Sequence, residues 1–167
     1  MADAGRVIAG SAKGIRLAAP GPGTRPLADR VKQTLFAVLE PDLEGAAVLD
    51  LFAGSGAGGI EALSRGASRA VFVERDGGAA RVVAENLKRA GLASRAAVVR
   101  REAAGWLADP GGAAAAGPFD IVLMDRRTPT AMPSSTPWSW SARSSRPRAS
   151  SSPSTSGATR RPPSPGC

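Results

Sequence analysis

The chain has 167 residues, 43% of them hydrophobic, which is material for one compact α/β domain rather than two. Its net charge of +8 is concentrated at one end: all 14 acidic residues and 15 of the 22 Lys and Arg lie at or before Asp125, while Arg126–Cys167 holds seven arginines and no acid. The basic balance is therefore weak support for nucleic-acid binding taken alone, a single terminal cysteine excludes a disulfide framework, and the absence of histidine removes the commonest general base and metal ligand.

Arg6–Ala9 and Ile15–Ala18 read as two short strands around a turn at Gly10–Gly14. After a Gly/Pro-rich loop at Pro20–Pro26, Leu27–Leu39 places Leu27, Val31, Leu35 and Val38 in a helical stripe, which Pro41 is expected to end. Ala47–Phe52 is an apolar run stopping at a glycine-rich turn, the pattern of a buried parallel strand. Then come a helix from Gly59 to Arg65, a strand at Ala70–Val73 and a helix at Ala79–Ala90 capped by Gly91. A strand at Ala96–Val99, a short helix at Glu102–Leu107, a small-residue loop at Gly111–Gly117 and a strand at Phe119–Met124 follow. This alternation predicts an α/β fold with a parallel sheet and right-handed crossovers, preceded by a β-hairpin and helix. Ligands on such sheets bind beyond the carboxyl ends of the strands, here Asp50–Gly56, Glu74, Arg101–Glu102 and Asp125.

Gly54, Gly56 and Gly59 have the spacing of a nucleotide-binding turn, and Glu74 stands 20 residues beyond Gly54, where a ribose-binding acid belongs. A nicotinamide dinucleotide and S-adenosylmethionine both fit that pattern. Asp50 separates them: a carboxylate at the strand end repels a pyrophosphate and favours a ligand bearing an ammonium and a sulfonium, the bland alternative being a tight glycine turn with a capping Asp. The candidate cofactor contacts are Asp50, Phe52, Ala53, Gly54, Ser55 and Gly56, then Glu74 and Arg75, then Glu102 and Ala103. Glu74 is either a bidentate ribose acceptor or a solvated acid beside Arg75. Glu102 is either an acceptor for the adenine amine or an acid favoured by a helix N-terminus.

The run Arg6–Leu17 (RVIAGSAKGIRL), Thr24-Arg-Pro26, Asp29-Arg-Val-Lys32 and Phe36 closely resembles the 16S rRNA guanine-N2 methyltransferase family. The resemblance continues through Asp50-Leu-Phe-Ala-Gly-Ser-Gly56, Gly59–Ala67 (GIEALSRGA), Val73-Glu-Arg-Asp76 and Glu85-Asn-Leu87, and covers Arg6 to Asp125. No N-terminal apolar run reads as a signal peptide and none approaches a membrane span, so a cytoplasmic protein without membrane contact is expected, and one cysteine with no histidine argues against a metal site. The resemblance implies a Rossmann-like core that uses S-adenosylmethionine, in a monomer, to methylate the exocyclic amine of a guanine in 16S rRNA or the 30S subunit. It divides the chain into an RNA-contacting part (1–40), a truncated cofactor core (41–125) and a tail (126–167). Arg6, Lys13, Arg16, Arg25, Arg30 and Lys32 are the expected phosphate contacts, the bland alternative being a solvated basic face.

The family's catalytic motif is Asp or Asn followed by Pro-Pro-Tyr or Pro-Pro-Phe, which puts Asp125 at the catalytic position; here Arg126-Arg127-Thr128 follows it. The motif is thought to hold the target amine towards the methyl and to stack on a base whose extrusion costs a few kcal/mol. A single-base deletion accounts for the change: GAC-CCG-CCG-TAC-G spells Asp-Pro-Pro-Tyr, and losing one C gives GAC-CGC-CGT-ACG, Asp-Arg-Arg-Thr. Read one base earlier, Trp138-Ser-Trp-Ser141 and Ser150-Ser-Ser152 become runs of Val and Leu. The other reading is a disordered basic RNA-binding arm, which would make the chain a non-catalytic binding module. On either reading the tail is not expected to pack, the later strands are missing, Phe119–Met124 is left at an open edge, and activity is expected to be weak or absent.

Overall fold

The sheet at the centre of the molecule has four parallel strands, β3 (Ala47–Asp50), β4 (Arg69–Val73), β5 (Ala96–Val99) and β6 (Ile121–Leu123), in the order β5-β4-β3-β6. In the computed structural model the described residues are 3–21 and 29–126. All of them belong to one compact unit that runs from Met1 to Thr128. Arg25 and the tail beyond Arg126, including the proposed out-of-frame segment, lie outside the described residues.

Strand residues alternate between two cores, as the pleat requires. Val48, Ala70 and Phe72 join Phe36, Ile60, Leu63 and Val83 on the face covered by α1 (Asp29–Leu43), α2 (Ala57–Ser64) and α3 (Gly77–Arg89). Leu49, Val71 and Val73 pack with Ala103 and Trp106 on the other face, under α4 (Ala103–Ala108) and α5 (Ala113–Ala116). The α/β fold with a parallel sheet is as expected, and β3 stops at Asp50 so that the chain can turn over the sheet's carboxyl edge. The loop expected at Gly111–Gly117 contains the single-turn helix α5, and a 3-10 turn at Ala93–Arg95 leads into β5.

Three differences at the N-terminus have physical causes. The first hairpin strand, β1, covers Asp3–Arg6, not Arg6–Ala9, and pairs antiparallel with β2 (Arg16–Ala18). Ile8 and Ala9 leave the ladder because their amides donate to the Glu61 carboxylate of α2, at 2.8 and 3.0 Å. Helix α1 runs through Pro41 to Leu43, because proline in the last turn forfeits only one amide bond. Its Val31–Leu35–Val38 stripe faces outward, with Val38 73% exposed, while Lys32, Phe36 and Leu43 form the buried face.

The hairpin is clamped to the core by α2. Ser64 donates its hydroxyl to the Ala9 carbonyl and accepts the Ala12 amide, and the Ser11 amide donates to the Ser64 carbonyl. A Cβ on Gly10 would sit 1.8 Å from that carbonyl, so the tip of the turn has to be glycine. Glu61 is fully buried and also pairs with Arg65 at 2.9 Å. Glu61→Ala leaves two amides and the largely buried Arg65 guanidinium short of an acceptor. Urea denaturation is expected to show a loss of about 2–4 kcal/mol; a loss within 0.5 kcal/mol of zero would mean that the clamp is not structural.

Candidate functional site

The chain crosses the carboxyl edge of the sheet four times, after β3, β4, β5 and β6, and the candidate residues gather there. After β3 the turn Leu51–Gly56 leads directly into α2. Gly54 and Gly56 have φ of 56° and 79°, a conformation that costs other residues. Gly59 serves packing instead, since a Cβ there would meet the Phe72 ring at 2.4 Å.

Asp50 ends β3 and is 5% exposed. Its carboxylate accepts the Gly59 amide at 3.0 Å, so it occupies the mouth of α2, where a phosphate would otherwise be received. Burial, with the charges of Asp125 and Glu74, raises its pKa to about 6 against the opposing hydrogen bonds from the Gly59 and Phe52 amides. Three carboxylates thus converge on one end of the sheet, and a cation bound among them lowers the cost of ionising Asp50.

Glu74 follows β4 and spans two loops: one carboxylate oxygen accepts the Gly54 amide at 2.9 Å and the other the Asp76 amide at 2.9 Å. It is therefore fixed in place rather than freely solvated, and each oxygen keeps a lone pair for a further donor. Arg75 is exposed and lies near enough to Glu102 to act on it electrostatically. Glu102 is the N-cap of α4, accepting the Gly105 amide at 2.8 Å, and its pKa is held down by the Gly105 and Ala104 amides. Ala103 beneath it is buried. Phe52 and Gly54 are half-buried, and Ala53 and Ser55 are buried.

Asp125 is exposed two residues beyond β6. The Leu51 amide donates to the Leu123 carbonyl at 3.0 Å, which joins the glycine turn to the end of the strand that presents Asp125. Within the described residues the structure thus brings Asp50, Phe52, Ala53, Gly54, Ser55, Gly56 and Glu74 together around one turn, with Asp125 next to it. Arg75, Glu102 and Ala103 border it on the β4–β5 side.

The basic residues at the N-terminus separate into two kinds. Lys13, Arg16 and Arg30 are exposed, Arg16 pairing with Asp3 at 2.7 Å, and Arg6 is 65% exposed beside Asp29. Lys32 corrects the expectation of a phosphate contact: it is fully buried, with its ammonium donating to the Arg6 carbonyl and paired with Asp29 at 3.3 Å. Its role in this arrangement is internal. Glu61 and Asn86, which no site motif singles out, are fully buried and hold distant backbone groups; a charged or amide residue amid an apolar helix face is a signal of such an internal anchor.

Residues 5–126 match the protein family described as Conserved hypothetical protein 95. A Bacillus subtilis (strain 168) protein named provisionally as the rRNA methyltransferase YlbH is 50% identical over 99 residues, covering 59% of this chain and 54% of the relative. Ribosomal RNA small subunit methyltransferase D of Escherichia coli (strain K12) is 42% identical over 121 residues, 72% of this chain and 58% of the relative. This chain therefore spans little more than half the length of these relatives. A solved Escherichia coli structure, described provisionally as the methyltransferase yhhF, superposes with a TM-score of 0.64 at 40% identity, covering 72% of this chain and 63% of that one. The sheet, the glycine turn and the matched sequence agree, and the chain belongs to the family described as Conserved hypothetical protein 95, with rRNA methyltransferases among its relatives and a class I methyltransferase fold.

Proposed function

We propose that the protein is built as an S-adenosylmethionine-dependent methyltransferase for the exocyclic N2 amine of a guanine in 16S rRNA, and that transfer is impaired in this chain. The observation that carries the cofactor class is the occupied helix mouth. A nicotinamide dinucleotide would need the α2 amides for its pyrophosphate, yet the Asp50 carboxylate already holds the Gly59 amide. A ligand with an ammonium instead gains a buried anion. In the proposed assignment Asp50 pairs with that ammonium, Glu74 accepts from the ribose hydroxyls, and Glu102 and Ala103 border the adenine. Phe52, Ala53, Gly54, Ser55, Gly56 and Arg75 line the remainder. The cofactor supplies an electrophilic methyl on its sulfonium sulfur.

Asp125 is assigned to the target amine, as the acceptor that orients it. What the chain lacks is the Pro-Pro-aromatic sequence after Asp125, replaced by Arg126-Arg127-Thr128. An acceptor without its companion carbonyl and stacking ring leaves the amine and the base unpositioned, and misplacement of about 1 Å can cost a hundredfold in rate. On the RNA side Arg6, Lys13, Arg16 and Arg30 are the proposed phosphate contacts, with Arg25 added from sequence alone. The proposed division of labour keeps residues 1–40 for RNA and 41–125 for the cofactor. The 30S subunit in the cytoplasm is the proposed partner, approached by a monomer.

Two experiments test this reading. An acid whose native pKa lies above its unfolded value gives stability that is full below about 4 and is lost as the pH rises through about 6, so ionised Asp50 weakens the free protein at neutral pH. Asp50→Asn is therefore expected to raise the unfolding free energy at pH 7.5 by about 1–3 kcal/mol while weakening S-adenosylhomocysteine binding at least about tenfold by calorimetry. Binding to the unsubstituted chain should strengthen as the pH rises through 6; a substitution that leaves affinity unchanged, or a preference for NAD, would overturn the cofactor class. The second experiment is methyl transfer from labelled S-adenosylmethionine to undermethylated 30S subunits. A frame-corrected chain should label a guanine at a rate at least about a hundredfold above that of the present chain, and equal rates would refute the impairment.

A further inference from the structure

Asn86 lies on the buried side of α3, outside the proposed cofactor and RNA contacts. Its side chain is fully buried and makes three hydrogen bonds to backbone far away in sequence. Its Oδ1 accepts the Ala18 amide at 2.8 Å, and its Nδ2 donates to the Ala18 carbonyl at 2.9 Å and to the Ser55 carbonyl at 2.9 Å. The carboxamide thus pairs with Ala18 as a neighbouring strand would. Its second N–H holds the glycine turn between Gly54 and Gly56. Asparagine is the one side chain of this length with two donors and an acceptor; aspartate would lose both bonds to carbonyls and leucine all three.

Ala18 closes β2, the second strand of the hairpin, so Asn86 joins the hairpin to the cofactor turn from the α3 side. A second tie runs through α2, which starts immediately after Gly56 and grips Ile8, Ala9 and Ala12 through Glu61 and Ser64. The hairpin is thereby held at both ends to the elements that shape the turn, through buried polar contacts with two matched partners at every bond. Hydrogen bonds in such a network strengthen one another.

We infer that Asn86 is a positioning residue that couples occupation of the cofactor turn to the order of the N-terminal hairpin. Ligand bound on the turn fixes the Ser55 carbonyl, that carbonyl fixes the carboxamide, and the carboxamide fixes Ala18; the coupling is reciprocal, so a hairpin held on RNA raises affinity for the cofactor. The inference rests on the proposed cofactor class.

Hydrogen exchange read by mass spectrometry on the full chain, with and without S-adenosylhomocysteine, tests it. The ligand is expected to slow exchange at residues 51–59, and also at residues 7–18, by about fivefold or more, the lower end of coupling between distinct sites. The amides of Ile8, Ala9, Ala12 and Ala18 are the reporters, since each is held by a side chain of α2 or α3. In Asn86→Asp and Asn86→Ala the slowing at 16–18 should vanish, that at 8–12, carried by the α2 tie, should persist, and affinity should fall about tenfold, while Glu85→Ala, on the exposed side of the same helix, behaves as the unsubstituted chain. A merely structural Asn86 would lower protection equally with and without ligand and leave the ligand-induced increment intact, which would overturn the inference. So would protection at 51–59 with none at 7–18 in the unsubstituted chain, a result that needs no variant to fold. Failure of the ligand to bind at all, seen as no heat and no protection at 51–59, would overturn the cofactor reading and this inference with it.

Discussion

The carboxylate of Asp50 on the amide of Gly59 is the contact around which the rest of the molecule is arranged. A helix N-terminus over the end of a parallel sheet is a general anion receptor. Filling it with a residue of the chain itself reverses its preference, and burying that residue makes its charge costly until a cation arrives. Every neighbour serves the same end. Gly56 takes the left-handed φ from which α2 starts, Gly59 lets α2 lie against Phe72, and Glu74 ties the turn to the next loop.

Helix α2 carries this arrangement to the N-terminus. It is only eight residues long and nearly all of it is buried, including a glutamate and a serine that a helix of its hydrophobicity would not be expected to hide. Both polar residues face the hairpin and satisfy its amides. No buried side-chain nitrogen or oxygen among the described residues is left without a partner, so the interior polar groups act as joints between segments distant in sequence, and rigidity is the gain.

Most of the sheet was legible in the sequence because period and punctuation coincide there. β3, β4 and β6 are short apolar runs that end at or near an acid, β5 lies between two arginines, and the fully buried β3 cannot be mistaken because a glycine turn follows it. The acids of the turn were legible for the same reason, since their positions at strand ends follow from the topology. Helix α1 was legible as a helix but its buried face was not: Val31, Leu35 and Val38 mark an apolar stripe, but the buried face is set by Phe36 and by Lys32, whose aliphatic stem packs inside while its ammonium finds Asp29 and a carbonyl. Hydrophobic periodicity cannot register a buried lysine. The hairpin was displaced by three residues because the acceptor that draws Ile8 and Ala9 out of the ladder lies more than 50 positions away. Asn86 was invisible as a joint for the same cause: its partners, Ala18 and Ser55, are backbone groups, which no side-chain motif encodes.

The Leu51–Leu123 hydrogen bond has a mechanical corollary. Within the described residues β6 pairs with β3 alone, its outer side exposes Val122, and Met124 beyond it is 69% exposed. Fraying of a sheet begins at such a border, and here the last rung of the border strand is shared with the first residue of the glycine turn. Loosening at the margin is therefore delivered straight to the glycine turn, with no intervening strand to absorb it. Whatever shields that margin also stiffens the turn.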